Sequence, residues 1–272
     1  MRYAQAVTLL YLLAAPVEAQ MTHDHRGVAT LESSVELLIE RARSAAEAYT
    51  DRSAAIADGY RKVGRDLPMM GEHWLNTRLL VEGGFDVTRP QVLTYIDVGG
   101  KPVLTGVVFA VVLDPGESPP AVFGPTAMWH EHNGSIDEEA LVPQHHTVAA
   151  EATGTRVAFL HVWTNVPSSE TVFDAENWAL PFVHAGVKVP ASFSNEAARC
   201  LGIRTSGRDY YLDMFSGRIE SSVFDECAAV AERVISRART EHRAPTNAEL
   251  DKLESVWQAA VARAPVLQEL SH

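Results

Sequence analysis

The chain is predicted to be an α+β protein: a central antiparallel β-domain, barrel- or sandwich-like, between an N-terminal amphipathic helix and a C-terminal helical segment. Three observations predict this. A proline-free stretch with helical spacing of apolar residues runs from Thr30 to Gly64. β-Branched and aromatic runs follow, two of them flanking Gly99-Gly100. After Pro190 the apolar residues return to helical intervals. The expected divisions are residues 1–19 as a signal peptide, 20–65 as the N-terminal helix, 66–189 as a β-domain rich in His and Trp, and 190–272 as the helical segment.

The leader is read from Arg2, the apolar run Ala6 to Ala15 and the small-residue cleavage pattern Val17-Glu18-Ala19. Its apolar run is shorter than the ~20 residues a bilayer-spanning helix needs. No later segment supplies such a run without charge, so no membrane span is expected and the protein should be periplasmic or secreted. Removing residues 1–19 takes away one Arg and one Glu and leaves the formal charge at -12. With this acidic balance and no Lys/Arg run, nucleic acid is excluded as a partner. A small-molecule substrate or ligand is the expected one.

In the N-terminal helix, Val35, Leu38, Ala42, Ala45, Tyr49, Ile56, Tyr60 and Val63 form the apolar stripe, and Ser33-Ser34-Val35-Glu36 has the spacing of a capping box. A break is expected near Asp51. Val92 to Ile96 and Val103 to Leu113 read as strands joined at Gly99-Gly100, a dipeptide suited to a tight hairpin. Asp114 to Pro125 reads as an exposed loop. Arg156 to Trp163 alternates, putting Val157, Phe159, His161 and Trp163 on one face and Ala158, Leu160 and Val162 on the other, so His161 should face inward among aromatics. Ser194 to Leu201, Glu220 to Arg239 and Ala248 to Ala262 read as helices, the last entered through a second capping box, Thr246-Asn247-Ala248-Glu249. The two cysteines, Cys200 and Cys227, would form a disulfide in an oxidising compartment or remain as buried thiols on facing helices.

Four of the five tryptophans stand in segments that also hold histidine or asparagine: Glu72-His73-Trp74, Trp129-His130-Glu131-His132, His161-Val162-Trp163-Thr164-Asn165 and Asn177-Trp178 through His184. Imidazoles are the commonest protein ligands for transition metals. His130-x-His132 has the spacing by which a strand or extended loop puts two imidazoles on one face, and His73 and His161 add donors from separate segments. The expected site is therefore a mononuclear one with His73, His130, His132 and His161 as ligands. Glu72 or Glu131 would act as base, and Trp74, Trp129, Trp163 and Trp178 would form the wall around a bound group. An all-imidazole set with aromatic walls suits copper or iron, with zinc a further candidate. An open coordination position would make the protein a metal-dependent oxidoreductase. The competing expectation is a metal-free module whose indoles line a pocket for an apolar ligand or a sugar.

The remaining polar residues near these motifs have plainer roles. Asn165 and Asn177 are expected to satisfy backbone groups, Met69 and Met70 to fill core, and His145-His146 to lie in a solvated loop. His184 is the candidate to close the site, and His23-Asp24-His25 belongs to the start of the mature chain. Gly-x-Ser-x-Gly, phosphate-loop, dinucleotide and Cys-x-x-Cys patterns are absent. His130-x-His132 resembles the first motif of cupin barrels, with Glu138 or Glu139 where that family's carboxylate ligand falls. The glycine framing of that motif is missing, and the stretch around His161 departs from the family's second motif.

Overall fold

The computed structural model describes residues 25–132, 145–147 and 155–270. The leader, the His23-Asp24 start and Glu138 and Glu139 lie outside these residues.

The α+β architecture is present, and its centre is one open antiparallel sheet curled into a half-barrel. The sheet has seven strands in the order β1-β2-β3-β4-β7-β5-β6. They are β1 (Arg61–Leu67), β2 (Gly71–Leu75), β3 (Val92–Val98), β4 (Lys101–Leu113), β5 (His130–His132), β6 (His145–Thr147) and β7 (Arg156–Val162). Gly99 and Gly100 turn the β3–β4 hairpin with φ of 63° and 81°, a left-handed pair that a two-residue turn needs and glycine supplies without strain. The β3–β4 register slips between Thr94 and Tyr95. Such a bulge increases local twist and bends the strand, one source of the curl.

Helix α1 (His25–Glu47) covers one face of the sheet. Ala42 and Ala46, both fully buried, let it approach closely, and Leu38 and Ile39 add to the contact with Leu93, Tyr95, Phe109, Leu160 and Val162. The helical backbone is already under way at His25, so Ser33 sits inside the helix and does not cap it. The expected break is found: Asp51 caps α2 (Arg52–Ala57), accepting a hydrogen bond from the Ser53 amide at 2.9 Å. The helix does not continue to residue 65. Gly59, at φ 98°, turns the chain, and Arg61 to Arg65 belong to β1. Val63 belonged to the expected helical stripe, but Arg61, Lys62 and Val63 pair with β2 as an exposed edge strand.

The C-terminal half builds a second apolar core. After α3 (Thr77–Glu82) and α4 (Leu180–His184) come α5 (Asn195–Gly202), a kink at Ile203–Gly207 where Thr205 leaves helical backbone (φ −110°, ψ −111°), α6 (Arg208–Met214), a 3-10 turn at Ser221–Phe224, α7 (Asp225–Thr240) and α8 (Asn247–Arg263). Trp257, Tyr211 and Phe224 stack at its centre, and Leu67, Met69, Met70 and Trp178 tie it to the sheet. The two methionines are core, as expected. The second capping box is formed: Thr246 and Glu249 exchange side-chain and backbone hydrogen bonds at the start of α8. Cys200 on α5 and Cys227 on α7 are both buried free thiols, not at disulfide distance. This corrects the disulfide expectation in favour of packed thiols on facing helices. Burial, then the hydrogen bond with Cys227, pushes the Cys200 thiol far above its ordinary pKa. Among the described residues no helix is long and apolar enough to cross a membrane.

Candidate functional site

Strand register decides which of the predicted residues can meet. His73 pairs with Thr94, Thr94 with Gly106, Val108 with His161, and Phe159 with His130. Directly opposed residues share a face, and alternate residues along a strand return to it. His73, His130 and His161 therefore lie on one face of the sheet, opposite to the face α1 covers. Their rings meet there. His161 is 5.3 Å from His73 in an edge arrangement and 5.5 Å from His130 in a stacked one, measured between ring centres. His130 and His161 are only 4% and 3% exposed. His161 is buried as predicted, but the α1 side of β7 is made by Leu160 and Val162, so the histidines lie on the other face of the sheet.

A backbone acceptor lies behind the His130 ring. Its Nδ1 lies 3.2 Å from the Met128 carbonyl oxygen. A carbonyl can only accept, so this bond places the proton on Nδ1 and the lone pair on Nε2. A backbone acceptor behind an imidazole is the arrangement that orients histidine ligands in metal sites. Trp163 adjoins His161, with ring centres 5.3 Å apart, and donates through Nε1 to the Asp174 carbonyl at 2.7 Å.

The other predicted residues are elsewhere. Glu72 opposes Tyr95 and Glu131 opposes Ala158, so both carboxylates are on the α1 side, turned away from the imidazoles by the alternation of the strand. Neither can serve the histidines as a base. Glu72 takes hydrogen bonds from Arg52 and Lys62 at 2.8 Å and from Trp74 Nε1 at 3.0 Å. Burial would raise its pKa, but the bonds from Lys62 and Trp74 and the Lys62 and Arg52 charges outweigh it and hold Glu72 below the usual carboxylate range. Glu131 is ion-paired with Arg156 at 2.6 Å. The four indoles do not form one wall. Trp74 packs on Tyr95 under Arg52, Trp129 on Phe85, and Trp178 lies in the helical core beneath the Arg199 guanidinium. Trp163 is in ring contact with His161, and the other three indoles are packed against different groups.

His184 ends α4; burial lowers its pKa, and the nearby Asp97 charge opposes that. Asn177 is fully buried and bonds the Pro167 carbonyl and the Ala179 amide, the backbone role expected of it. Asn165 accepts from the Thr164 hydroxyl. His145-His146 is not in a loop: both residues belong to β6, with His145 opposite His132 and His146 opposite Glu131. Among the described residues no group of three or more His, Cys, Asp or Glu side chains that could hold a metal ion is found. The side chain of His132 is outside the described part. Comparison with known protein families, with curated proteins and with solved structures finds no match for this chain.

Proposed function

We propose that this is an exported, periplasmic or secreted metalloprotein that holds one transition-metal ion on the concave face of its sheet through His73, His130 and His161, and that it acts as a metal-dependent oxidoreductase. The observation that carries the reading is the meeting of three imidazoles from β2, β5 and β7 at ring separations of 5.3 and 5.5 Å. Two imidazoles bound to one ion at ~2.1 Å and near the tetrahedral angle have ring centres about 5 Å apart. The separations of His161 from His73 and from His130 are near that span. The Met128 carbonyl keeps the His130 lone pair on Nε2.

The fourth predicted ligand, His132, stands apart. Along β5 and β7 it is displaced from His130 in the direction opposite to His161, a register offset of four residues, or about 13 Å along the strands. Three imidazoles with the fourth position left to water, dioxygen or substrate is the open arrangement of a catalytic site. All-nitrogen donors suit copper or iron, with zinc as the redox-inert alternative. When bound, the ion supplies Lewis-acid and redox chemistry; the chain orients the imidazoles, keeps His130 in one tautomer and excludes bulk water through Trp163 and Phe159.

The test is elemental analysis of untagged protein purified from the periplasm, with Cu(II), Fe(II) and Zn(II) uptake by the metal-free protein. The wild type should carry or take up an equivalent that His161→Ala loses. Bound copper or iron should also quench Trp163 emission. A wild-type protein that takes up none of the three ions overturns the proposal.

A further inference from the structure

The connection that follows α4 meets the end of α7 in a basic pocket. Val187 and Ala238, both buried, form its base, and Lys188, Arg239, His242 and Arg243 line its walls around about 340 Å³. A cavity of that size holds a small organic molecule. This concentration of basic side chains runs against the formal charge of the whole chain, -12. Arg243 is neutralised by its neighbours: Glu241 accepts from its Nε at 2.5 Å, and Glu249 accepts from Nη1 and Nη2 at 2.7 and 3.1 Å. Lys188, Arg239 and His242 have no carboxylate partner among the described residues.

Arg239 is nevertheless held in place. Its Nε donates to the Ala185 carbonyl at 2.7 Å, which leaves the edge formed by its two terminal nitrogens for another acceptor. Two oxygens of an oxyanion can bind such an edge side by side. Gly186, at φ 63°, runs beside the guanidinium, and a Cβ there would stand 3.5 Å from Nε and Nη2, so glycine keeps that side of the group uncovered. His242 stands where a helix end usually has glycine. It follows the cap of α7 at φ 52°, the one non-glycine at positive φ among the described residues. Its amide donates to the Arg239 carbonyl at 3.2 Å, and the Arg243 amide donates to the Ala238 carbonyl at 3.0 Å. These carbonyls, at the negative end of the helix dipole, are thereby satisfied.

We infer that this pocket binds the phosphate group of a small organic phosphate monoester. Donors from Arg239, Lys188 and His242 outnumber the two oxygens of a carboxylate and match the three non-ester oxygens of the phosphate. The guanidinium supplies a planar fork, the ammonium a point charge and the imidazole an N–H. Val187 and Ala238 offer the carbon part of the ligand an apolar surface. The pocket shares no residue with the His73, His130 and His161 cluster and does not depend on it.

The experiment is calorimetric titration of untagged, metal-free full-length protein with phenyl phosphate, compared with inorganic phosphate, phenyl sulfate and benzoate. Phenyl phosphate should bind once per chain with a dissociation constant below about 1 mM, and the other three more weakly. Lys188→Gln and Arg239→Lys should each weaken it about tenfold, the second because lysine keeps the charge and loses the fork. His242→Gly separates binding from folding. It should raise the melting temperature by ~2–4 °C, because glycine takes the positive φ without strain, while it weakens phenyl phosphate at least about threefold. His161→Ala should bind phenyl phosphate as wild type does. A wild type that does not bind it, or one matched in affinity by Lys188→Gln, Arg239→Lys and His242→Gly, overturns the site. Benzoate or phenyl sulfate binding as tightly as phenyl phosphate overturns phosphate as the ligand. Binding lost in His161→Ala and kept in Lys188→Gln would put the phosphate on the histidine cluster and overturn the pocket.

Discussion

The His73 ring touches the His161 ring although two strands, β3 and β4, run between the strands that carry them. In a flat sheet three strand steps amount to about 14 Å. The curl of the sheet closes that gap, and Gly106 marks where it is tightest. A Cβ at Gly106 would stand 2.4 Å from the Val162 carbonyl oxygen and 3.1 Å from the Trp163 Cα, so the end of β7 lies directly over the glycine. The absence of a side chain there is what lets β7 fold inward and carry His161 toward β2.

Gly106→Ala should therefore damage the site more than an ordinary surface change. The added methyl meets backbone, which cannot swing aside as a side chain can. We expect a loss of roughly 2–4 kcal/mol in urea unfolding, together with loss of metal uptake by the three-histidine cluster. A variant with wild-type stability and wild-type uptake would show that β7 tolerates displacement at this point.

Glu131 should matter for stability and not for metal chemistry. Its ion pair with Arg156 is nearly excluded from solvent, with side chains 10% and 9% exposed, and Arg156 also bonds the Glu117 carbonyl at 2.8 Å. Removing one member of a buried pair leaves the other charge without its counterion, which costs about 3–5 kcal/mol. Glu131→Ala should lower stability on that scale while the folded fraction keeps its metal stoichiometry. Selective loss of metal from stable protein would restore Glu131 to the site.

Asp66 gives a pH dependence whose sign is fixed. Burial, aided by the Glu72 charge, raises its pKa from 3.8 to about 6. The folded state thus holds the proton more tightly than the unfolded state, so between about pH 4 and pH 6 this group makes stability fall as pH rises, and above pH 6 its effect is constant. The shift corresponds to a few kcal/mol at most, on the order of 1–3 after solvent relaxation. Asp66→Asn should remove that slope and be the more stable protein at pH 8. Parallel wild-type and variant stability curves between pH 4 and pH 8 would contradict this assignment.

The fold was legible where period and punctuation agreed. The Gly99-Gly100 hairpin, the alternation of β7, the Asp51 break and the Thr246 to Glu249 box each rest on a local rule, and the structure keeps all four. The helix was read too far, through Val63, because Arg61 to Val63 are compatible with either period and their pairing with β2 is a tertiary choice. In the site, the histidines of β2, β5 and β7 could be chosen by composition and spacing. The rejection of Glu72 and Glu131 was available from the same alternation, since each neighbours its histidine in sequence and must face the other way once a strand forms. That His145 and His146 lie in a strand was hidden because β6 is only three residues long and lies at a sheet edge, where short strands leave little periodic signal.

Cys200 and Cys227 should behave as thiols even in protein collected from an oxidising compartment. Both are fully buried, and the raised pKa of Cys200 leaves almost no thiolate to start exchange. Ellman titration of native protein should be slow. Denaturation without reductant should expose two reactive sulfurs per chain, and none would mean that the helices shift to close a disulfide.

The His130 tautomer is open to direct measurement, and it bears on whether the imidazole is prepared for a ligand. Nitrogen-15 spectra of metal-free protein above pH 7.5 should show His130 protonated on Nδ1, because the Met128 carbonyl offers an acceptor and no donor. Free imidazole prefers the proton on Nε2, so the opposite assignment in the protein is a specific outcome of this bond. The proton that is pinned also decides which atom can ligate: Nε2 then holds the lone pair, and binding an ion there costs no tautomer change. Addition of one equivalent of Zn(II) should shift the Nε2 resonance and leave Nδ1 protonated. His161→Ala should keep the tautomer and weaken the Zn(II) shift, since the tautomer comes from Met128 and the affinity from the neighbouring ring. An Nε2-protonated His130 in metal-free protein would instead mean that this ring is held as a hydrogen-bond donor through Nε2, and the three-imidazole site would lose that nitrogen as a ready ligand.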